Sequence, residues 1–223
     1  MRPSTLPDAL SLARTLSSAS LTDAFGRVHG HAATILDIVS PTPGRVLLGQ
    51  AATIRFVPFR EDVFEPRVHG FARHFYRAVG AMPAGKVLVL AAGRGGHSVG
   101  GSAKLSRLQN LRLAGLVTDG RLRDFQELSA YDPVFYCRGE TPRAGTGDLM
   151  PIAADEPVMI DGVTIVPGDY VFADQAGALV IPASTFIEVV NLAAEIQAED
   201  IGFIADIRKE DPELIRSHGS AER

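Results

Sequence analysis

The chain has 223 residues, 46% hydrophobic and 22% charged, the balance of a soluble globular protein with enough apolar material for a sizeable core. Its 22 Lys and Arg against 26 Asp and Glu leave a formal net charge of −4, which excludes the clustered cationic footprint that nucleic acid requires. No apolar run approaches the ~18 residues that cross a bilayer, and the start of the chain lacks a signal-peptide core, so a cytoplasmic protein with no membrane partner is expected.

Residues 5–30 read as a helical arm, with Leu10, Ala13 and Leu16 spaced by three and a second start at Ser20-Leu21-Thr22-Asp23. Pro41-Thr42-Pro43-Gly44 breaks the chain, and residues 46–59 have strand character, interrupted at Gly49-Gln50 and closed by Pro58. Arg60-Glu61-Asp62 reads as a solvated turn. Over residues 66–79, Val68, Phe71, Phe75 and Val79 keep helical spacing; His69 and His74 lie five apart, not the i, i+4 of a two-histidine metal site.

Lys86-Val87-Leu88-Val89-Leu90-Ala91 is a strand that runs into a loop holding Gly93, Gly95, Gly96, Gly100 and Gly101. A helix begins near Ser102, with Leu105, Leu108 and Leu111 on one face. A helix N-terminus behind glycines offers free N–H groups and positive dipole to an anion; the alternative is a plain surface loop. It is not a dinucleotide-binding fingerprint, since no acidic residue about 20 positions on ends a second strand in the required way. Next comes Leu116-Val117-Thr118-Asp119-Gly120-Arg121-Leu122-Arg123-Asp124, a strand ending in a turn that delivers two arginines and an aspartate. Arg123 offers a planar fork for a carboxylate and Asp124 hard oxygens for Mg²⁺ or Mn²⁺; the alternative is a strand-end turn before a helix, with the arginines solvated. A right-handed βαβ unit places both loops at one edge of a parallel sheet.

Residues 134–137 form a strand whose Cys137, the single cysteine, reads as a buried thiol and excludes an internal disulfide. After a Gly- and Pro-rich connection, three short strands at 163–166, 170–173 and 178–181 suggest a compact meander. A terminal helix spans about residues 185–208, its Ile187, Val190 and Ala194 stripe facing a core and Glu195, Glu199 and Asp200 facing outward. No repeat or linker interrupts the chain up to about Asp211, so residues 1–223 read as a single α/β domain.

The order of segments resembles the RraA-like family, which contains the class II pyruvate aldolases. The resemblance rests on Leu21-Thr22-Asp23-Ala24, Leu48-Gly49-Gln50-Ala51-Ala52-Thr53, the stretch from Gly115 to Asp124, Pro133-Val134-Phe135, Gly162-Val163-Thr164-Ile165-Val166-Pro167-Gly168-Asp169-Tyr170 and Ala173-Asp174-Gln175-Ala176-Gly177. It implies an αββα sandwich of the swivelling β/β/α type, a homotrimer or hexamer, and a site at the subunit boundary. It further implies that Arg123 contacts the pyruvyl oxygens, that Asp124 anchors a divalent metal, and that Gly100, Gly101, Ser102, Ala103 and Lys104 bind the pyruvate carboxylate through backbone amides. Where family aldolases carry an acidic residue near the start of that helix, this chain has Gly101, Ser102 and Ala103. Arg94 and His97 are unusual additions, expected to bring a positive charge and a proton carrier to the mouth of the site.

The expected activity is a divalent-metal-dependent carbon–carbon lyase acting on 2-oxo acids through a pyruvate enolate, as a 4-hydroxy-2-oxo acid aldolase, an oxaloacetate decarboxylase or both. The competing expectation is a non-catalytic, protein-binding regulator of ribonuclease activity. No Schiff base is expected, since Lys86 opens a strand and Lys104 lies in the first helix turn, neither with an evident desolvating pocket. The arm and the terminal helix, both amphipathic, are the expected covers for a neighbouring subunit's site.

Overall fold

The computed structural model describes residues 4–211; the first three residues and the polar stretch after Asp211 lie outside them. Strands β2 (Leu47–Pro58), β3 (Val87–Ala91), β5 (Gly115–Thr118) and β7 (Val134–Tyr136) run parallel in that spatial order. On the opposite edge of β2 the sheet continues antiparallel through β11 (Tyr170–Asp174), β12 (Gly177–Ile181) and β1 (Thr34–Ile35). Strand β8 (Leu149–Ala154) pairs with the second half of β2, so Ile54 and Arg55 have β3 on one side and β8 on the other.

Alternation of side chains along these strands generates three apolar layers. Leu88, Leu90, Leu116 and Phe135 point to one face and pack with Phe75, Leu105, Leu108 and Leu128, carried by α3 (Phe71–Val79), α4 (Ser102–Asn110) and α5 (Phe125–Leu128). The intervening Val87, Val89, Ala91 and Val117 point the other way. They meet Val171, Ala173, Ala178 and Val180 together with a hairpin of β9 (Val158–Ile160) and β10 (Val163–Ile165). Leu48, Tyr170, Phe172, Leu179 and Ile181 form the outermost face, covered by α1 (Leu6–Ala13), α2 (Ser18–Val28) and α6 (Phe186–Ile207). Tyr170 and Phe186 stack there with ring centroids 4.0 Å apart. Each such fully buried side chain contributes roughly 1.5–3 kcal/mol. Helices, sheet, sheet and helices thus make the αββα sandwich that the family resemblance implies.

Several local expectations change. The second helix of the arm, expected from Ser20, starts at Ser18 and is capped by Ser17, whose hydroxyl accepts from Ser20 N at 3.1 Å. Both helices of the arm pack one face on their own sheet. Helix α3 starts at Phe71 rather than residue 66. The preceding turn is closed by His69, whose backbone N–H donates to Glu65 O at 2.7 Å while its Nδ1 accepts from Glu65 N at 2.9 Å, and Val68 is left exposed. The three late strands are not a meander: β10 pairs with β9, whereas β11 pairs with β12 and β2. The core face of α6 is Phe186, Val189, Val190, Ala193 and Ile196, with Ile187 and Ala194 at its rim. Cys137 is fully buried one residue beyond β7, and burial pushes its thiol up to about 11. Among the described residues no helix is long and apolar enough to cross a membrane.

Strand β2 passes through Gly49-Gln50 without a break. Gly49 is needed there for close approach, because an added Cβ would overlap the carbonyl oxygen of Gly85 and lie 3.2 Å from Val87 Cγ2. A Gly49→Ala variant is expected to lose roughly 2–4 kcal/mol of stability, since the obstacle is backbone that cannot rotate away. The denaturation midpoint in urea checks this, and an unshifted midpoint would show that β2 has room to move.

Candidate active site

The site grows from the ends of β3 and β5. Thr118 Oγ1 donates to Leu90 O at 2.7 Å and accepts from Gly120 N at 2.9 Å. Asp119, only 6% exposed, accepts from Ala92 N at 2.7 Å and Gly93 N at 3.1 Å through one oxygen. Burial raises its pKa, while those amide bonds and the Arg138 guanidinium act in the opposite direction. The first aspartate of the motif therefore ties two strand ends together.

Beyond this clamp, β4 (Ser98–Gly100) lies parallel to β6 (Arg121–Leu122), and Arg123 N donates to Gly100 O at 3.1 Å. This pairing, which periodicity does not reveal in segments of three and two residues, brings the start of α4 against Arg123 and Asp124. Asp124 is in the left-handed region at φ 63°, ψ 45°, a conformation that aspartate tolerates better than most residues. Its Oδ2 accepts from Ser102 N at 2.9 Å and Ser102 Oγ at 3.0 Å, with Arg123 Nε 3.7 Å away. Oδ1 has no hydrogen-bond partner among the described residues. Gly101 makes the approach possible: a Cβ there would overlap Asp124 Oδ2 and come within 2.6 Å of Arg123 Cγ.

Of the five residues expected to offer amides, Gly100 spends its carbonyl on Arg123 and Ser102 its N–H on Asp124. Ala103 and Lys104, in the first turn of α4, have N–H groups without intrahelical partners. The Lys104 side chain is more enclosed than its position predicts. Its Nζ donates to Val99 O at 3.1 Å and stands 4.8 Å from the centroid of the Phe71 ring. Burial first, then the charges of Arg107 and Arg123, lower its pKa. Gly100, Gly101, Ala103, Lys104, Arg123 and Asp124 all face one cleft of about 150 Å³, closed on the far side by the 144–146 loop. Arg123 remains 43% exposed in its side chain.

Arg94 and His97 do not reach this mouth. Arg94 Nε donates to Asp161 Oδ1 at 3.1 Å, on the β9–β10 turn where Arg138 also pairs with Asp161. His97 Nδ1 lies 3.8 Å from Asp148, which Arg143 engages at 2.8 Å. The glycine loop thus folds toward other carboxylates, which its own sequence does not show. Glu140, unforeseen, lines a second depression with Arg123 and Asp124 and accepts from Phe125 N at 2.8 Å. It lies in the Gly- and Pro-rich connection, whose composition signals only a loop.

Among the described residues no group of three or more His, Cys, Asp or Glu could hold a metal. One carboxylate with an uncommitted oxygen in a polar cleft does suit a hydrated Mg²⁺ or Mn²⁺, which keeps several waters and takes one or two protein carboxylates. Asp124 fits that role, with Glu140 the nearby carboxylate of the same depression.

The chain is similar to several known proteins. It is 28% identical over 194 residues to the protein DlpA of Legionella pneumophila, covering 86% of this chain and 30% of that protein. It is 31% identical over 124 residues to a putative 4-hydroxy-4-methyl-2-oxoglutarate aldolase of Halalkalibacterium halodurans, covering 54% of this chain and 57% of that one. The chain thus spans about a third and just over half of these curated relatives. Among solved structures, Streptomyces coelicolor RraAS2, described as an unusual member of the RNase ES inhibitor RraA protein family, superposes with a TM-score of 0.76 at 27% identity, covering 90% of this chain and 98% of that one. The profile of the RraA-like family, described as Aldolase/RraA, matches residues 18–180. That span holds β2, the glycine loop, the Asp119 clamp and the Arg123-Asp124 turn, and by it the chain belongs to the RraA-like family.

Proposed function

We propose that the chain is a divalent-metal-dependent carbon–carbon lyase acting on 2-oxo acids. The observation that carries this reading is the Asp124 carboxylate, fixed through Oδ2 by both donors of Ser102, with Oδ1 uncommitted beside Arg123 and the first turn of α4. The relative named as a putative 4-hydroxy-4-methyl-2-oxoglutarate aldolase supports it. Asp124 would hold Mg²⁺ or Mn²⁺, which would supply Lewis acidity toward the 2-oxo group. Arg123 grips the pyruvyl oxygens with its planar fork, and the Ala103 and Lys104 amides with the α4 dipole attract the carboxylate. When the C3–C4 bond breaks, its electron pair moves into the 2-oxo group, and Arg123 holds the oxygen that gains charge. C4 leaves as a carbonyl after its hydroxyl gives its proton to water, or as CO₂ from oxaloacetate, and C3 then takes a proton from water to give pyruvate. Retro-aldol cleavage of a 4-hydroxy-2-oxo acid and decarboxylation of oxaloacetate share that pyruvate enolate, so one site serves both. The Lys104 ammonium adds positive potential.

The protein-binding reading, suggested by the Streptomyces neighbour, has no need of a metal-competent oxygen beside an oxyanion clamp. It becomes the better account only if pyruvate release is absent with either metal.

Assembly belongs to the same proposal. Arg123 is 43% exposed in one chain. The arm and the terminal helix are the candidate covers, and the end of α6 leaves Ile201, Phe203, Ile204 and Ile207 exposed at 62%, 67%, 48% and 44%. We propose a homotrimer, or a hexamer of two, in which this helix end covers an adjacent subunit.

Asp124→Asn is expected to abolish oxaloacetate and 4-hydroxy-2-oxo acid turnover, because an amide is a much weaker ligand for a hard cation; EDTA should do the same to the unaltered protein. Undiminished pyruvate release in either case removes the metal from the reading. Arg123→Lys is expected to lower kcat/KM by at least about tenfold despite the retained charge, since a point ammonium cannot form the bidentate contact. Sedimentation should show a trimer or hexamer, and Phe203→Glu with Ile204→Glu should dissociate it. A fully active monomer would defeat the shared assembly.

A further inference from the structure

A second cavity opens against the Arg123–Asp124 cleft, walled by Phe56, Phe59, Phe64, His69, Phe71 and Leu149, with a volume of about 360 Å³. The two spaces share Ser98, Lys104, Gly145 and Thr146 in their linings, and only Lys104 among these carries a long side chain. Aromatic contacts order the wall. Phe59 and Phe64 have centroids 5.0 Å apart, Phe64 and His69 6.0 Å, and Phe56 stacks with Phe71 at 6.5 Å. Polar groups at its edge are engaged: His69 Nδ1 accepts from Glu65 N, and Lys104 Nζ donates to Val99 O over the face of Phe71.

Rings arranged around open space leave apolar surface in contact with water, and an apolar guest relieves it. A cavity of about 150 Å³ already accepts benzene, so this chamber has room for a ring and its linker. A second carboxylate placed here would leave water for a wall of ring carbons, and the one ammonium at the rim gives one of its three N–H donors to Val99 O. We infer that the chamber receives an aryl group at the far end of the 2-oxo acid, the pyruvyl end lying at Arg123 and Asp124. This rests on the lyase reading for the pyruvyl end, and the chamber adds the class of substituent.

The test compares pyruvate release, with Mg²⁺ or Mn²⁺, from 4-hydroxy-2-oxo-4-phenylbutanoate, from 4-hydroxy-2-oxoglutarate and from oxaloacetate. The phenyl substrate is expected to exceed the dicarboxylate in kcat/KM by about tenfold or more, a discrimination within the reach of a hydrophobic pocket. Phe64→Ala and Phe59→Ala, both half-buried residues, should each lower the ratio of phenyl-substrate to oxaloacetate kcat/KM by about tenfold, chiefly through KM. A parallel calorimetric titration with 4-phenyl-2-oxobutanoate and pyruvate needs no turnover. The phenyl compound should bind about tenfold more tightly, and either Phe variant should erase the difference. Oxaloacetate turnover without any phenyl advantage in rate or binding would overturn the inference and leave the lyase reading intact. A phenyl advantage in binding with no pyruvate release from any substrate would do the reverse. A variant that weakens phenyl compounds and pyruvate equally would also overturn it.

Discussion

The Asp119 carboxylate, buried and bonded to the amides of Ala92 and Gly93, is the constraint on which the site depends. It fixes where β3 stops relative to β5, and Thr118 reinforces the join through Leu90 O and Gly120 N. Hydrogen bonds to a buried carboxylate are among the stronger ones, and losing a partner would leave charge without compensation. With the strand ends locked, the segments that follow leave in a set direction and pair again as β4 and β6. The Arg123–Gly100 bond and the Ser102–Asp124 bonds come next in the same line. Ser102 and Asp124, 22 residues apart, are thus brought together by the pairing of two short strands.

An α/β domain with a parallel sheet was legible from continuous apolar runs, whereas the αββα layering came from the resemblance to the RraA-like family. Val87 to Ala91 cannot be apolar at every position unless both faces of the strand are covered. Segments too short for a period were not legible. The β4 and β6 strands have three and two residues, and β9 has three, so their pairing is decided by tertiary position. The late meander failed for the same reason: turn residues show where the chain bends without showing which strand it bends toward.

The chemistry of the site was readable in part from residue type. Arg123 and Asp124 announce a fork and a hard oxygen in any context, but their use depends on partners that spacing cannot supply. Ser102 turned out to spend its amide on Asp124, a role visible only once Gly101 is seen to leave the space clear. Lys104 showed no desolvating pocket in the sequence because helix position alone says nothing of Phe71, which arrives from α3. Arg94 and His97 were misplaced for the converse reason, since a glycine-rich loop can turn to either side. Here it turns to Asp161 and Asp148.

The outermost layer joins the two ends of the described chain: α1 and α2, made first, lie against Tyr170, Phe172, Leu179 and the first half of α6. A nascent chain emerging from a ribosome therefore holds Leu21, Ala24 and Phe25 without their native cover until residues 170–196 follow. Contacts of such sequence separation are made late and slow folding, because the loop must close before burial rewards it. Strand β2 is in the same position, since its partners come from β3, β8 and β11. Synthesis stopped before α6 would leave one face of a twisted sheet wet and sticky, the condition under which chaperones and proteases compete for a chain.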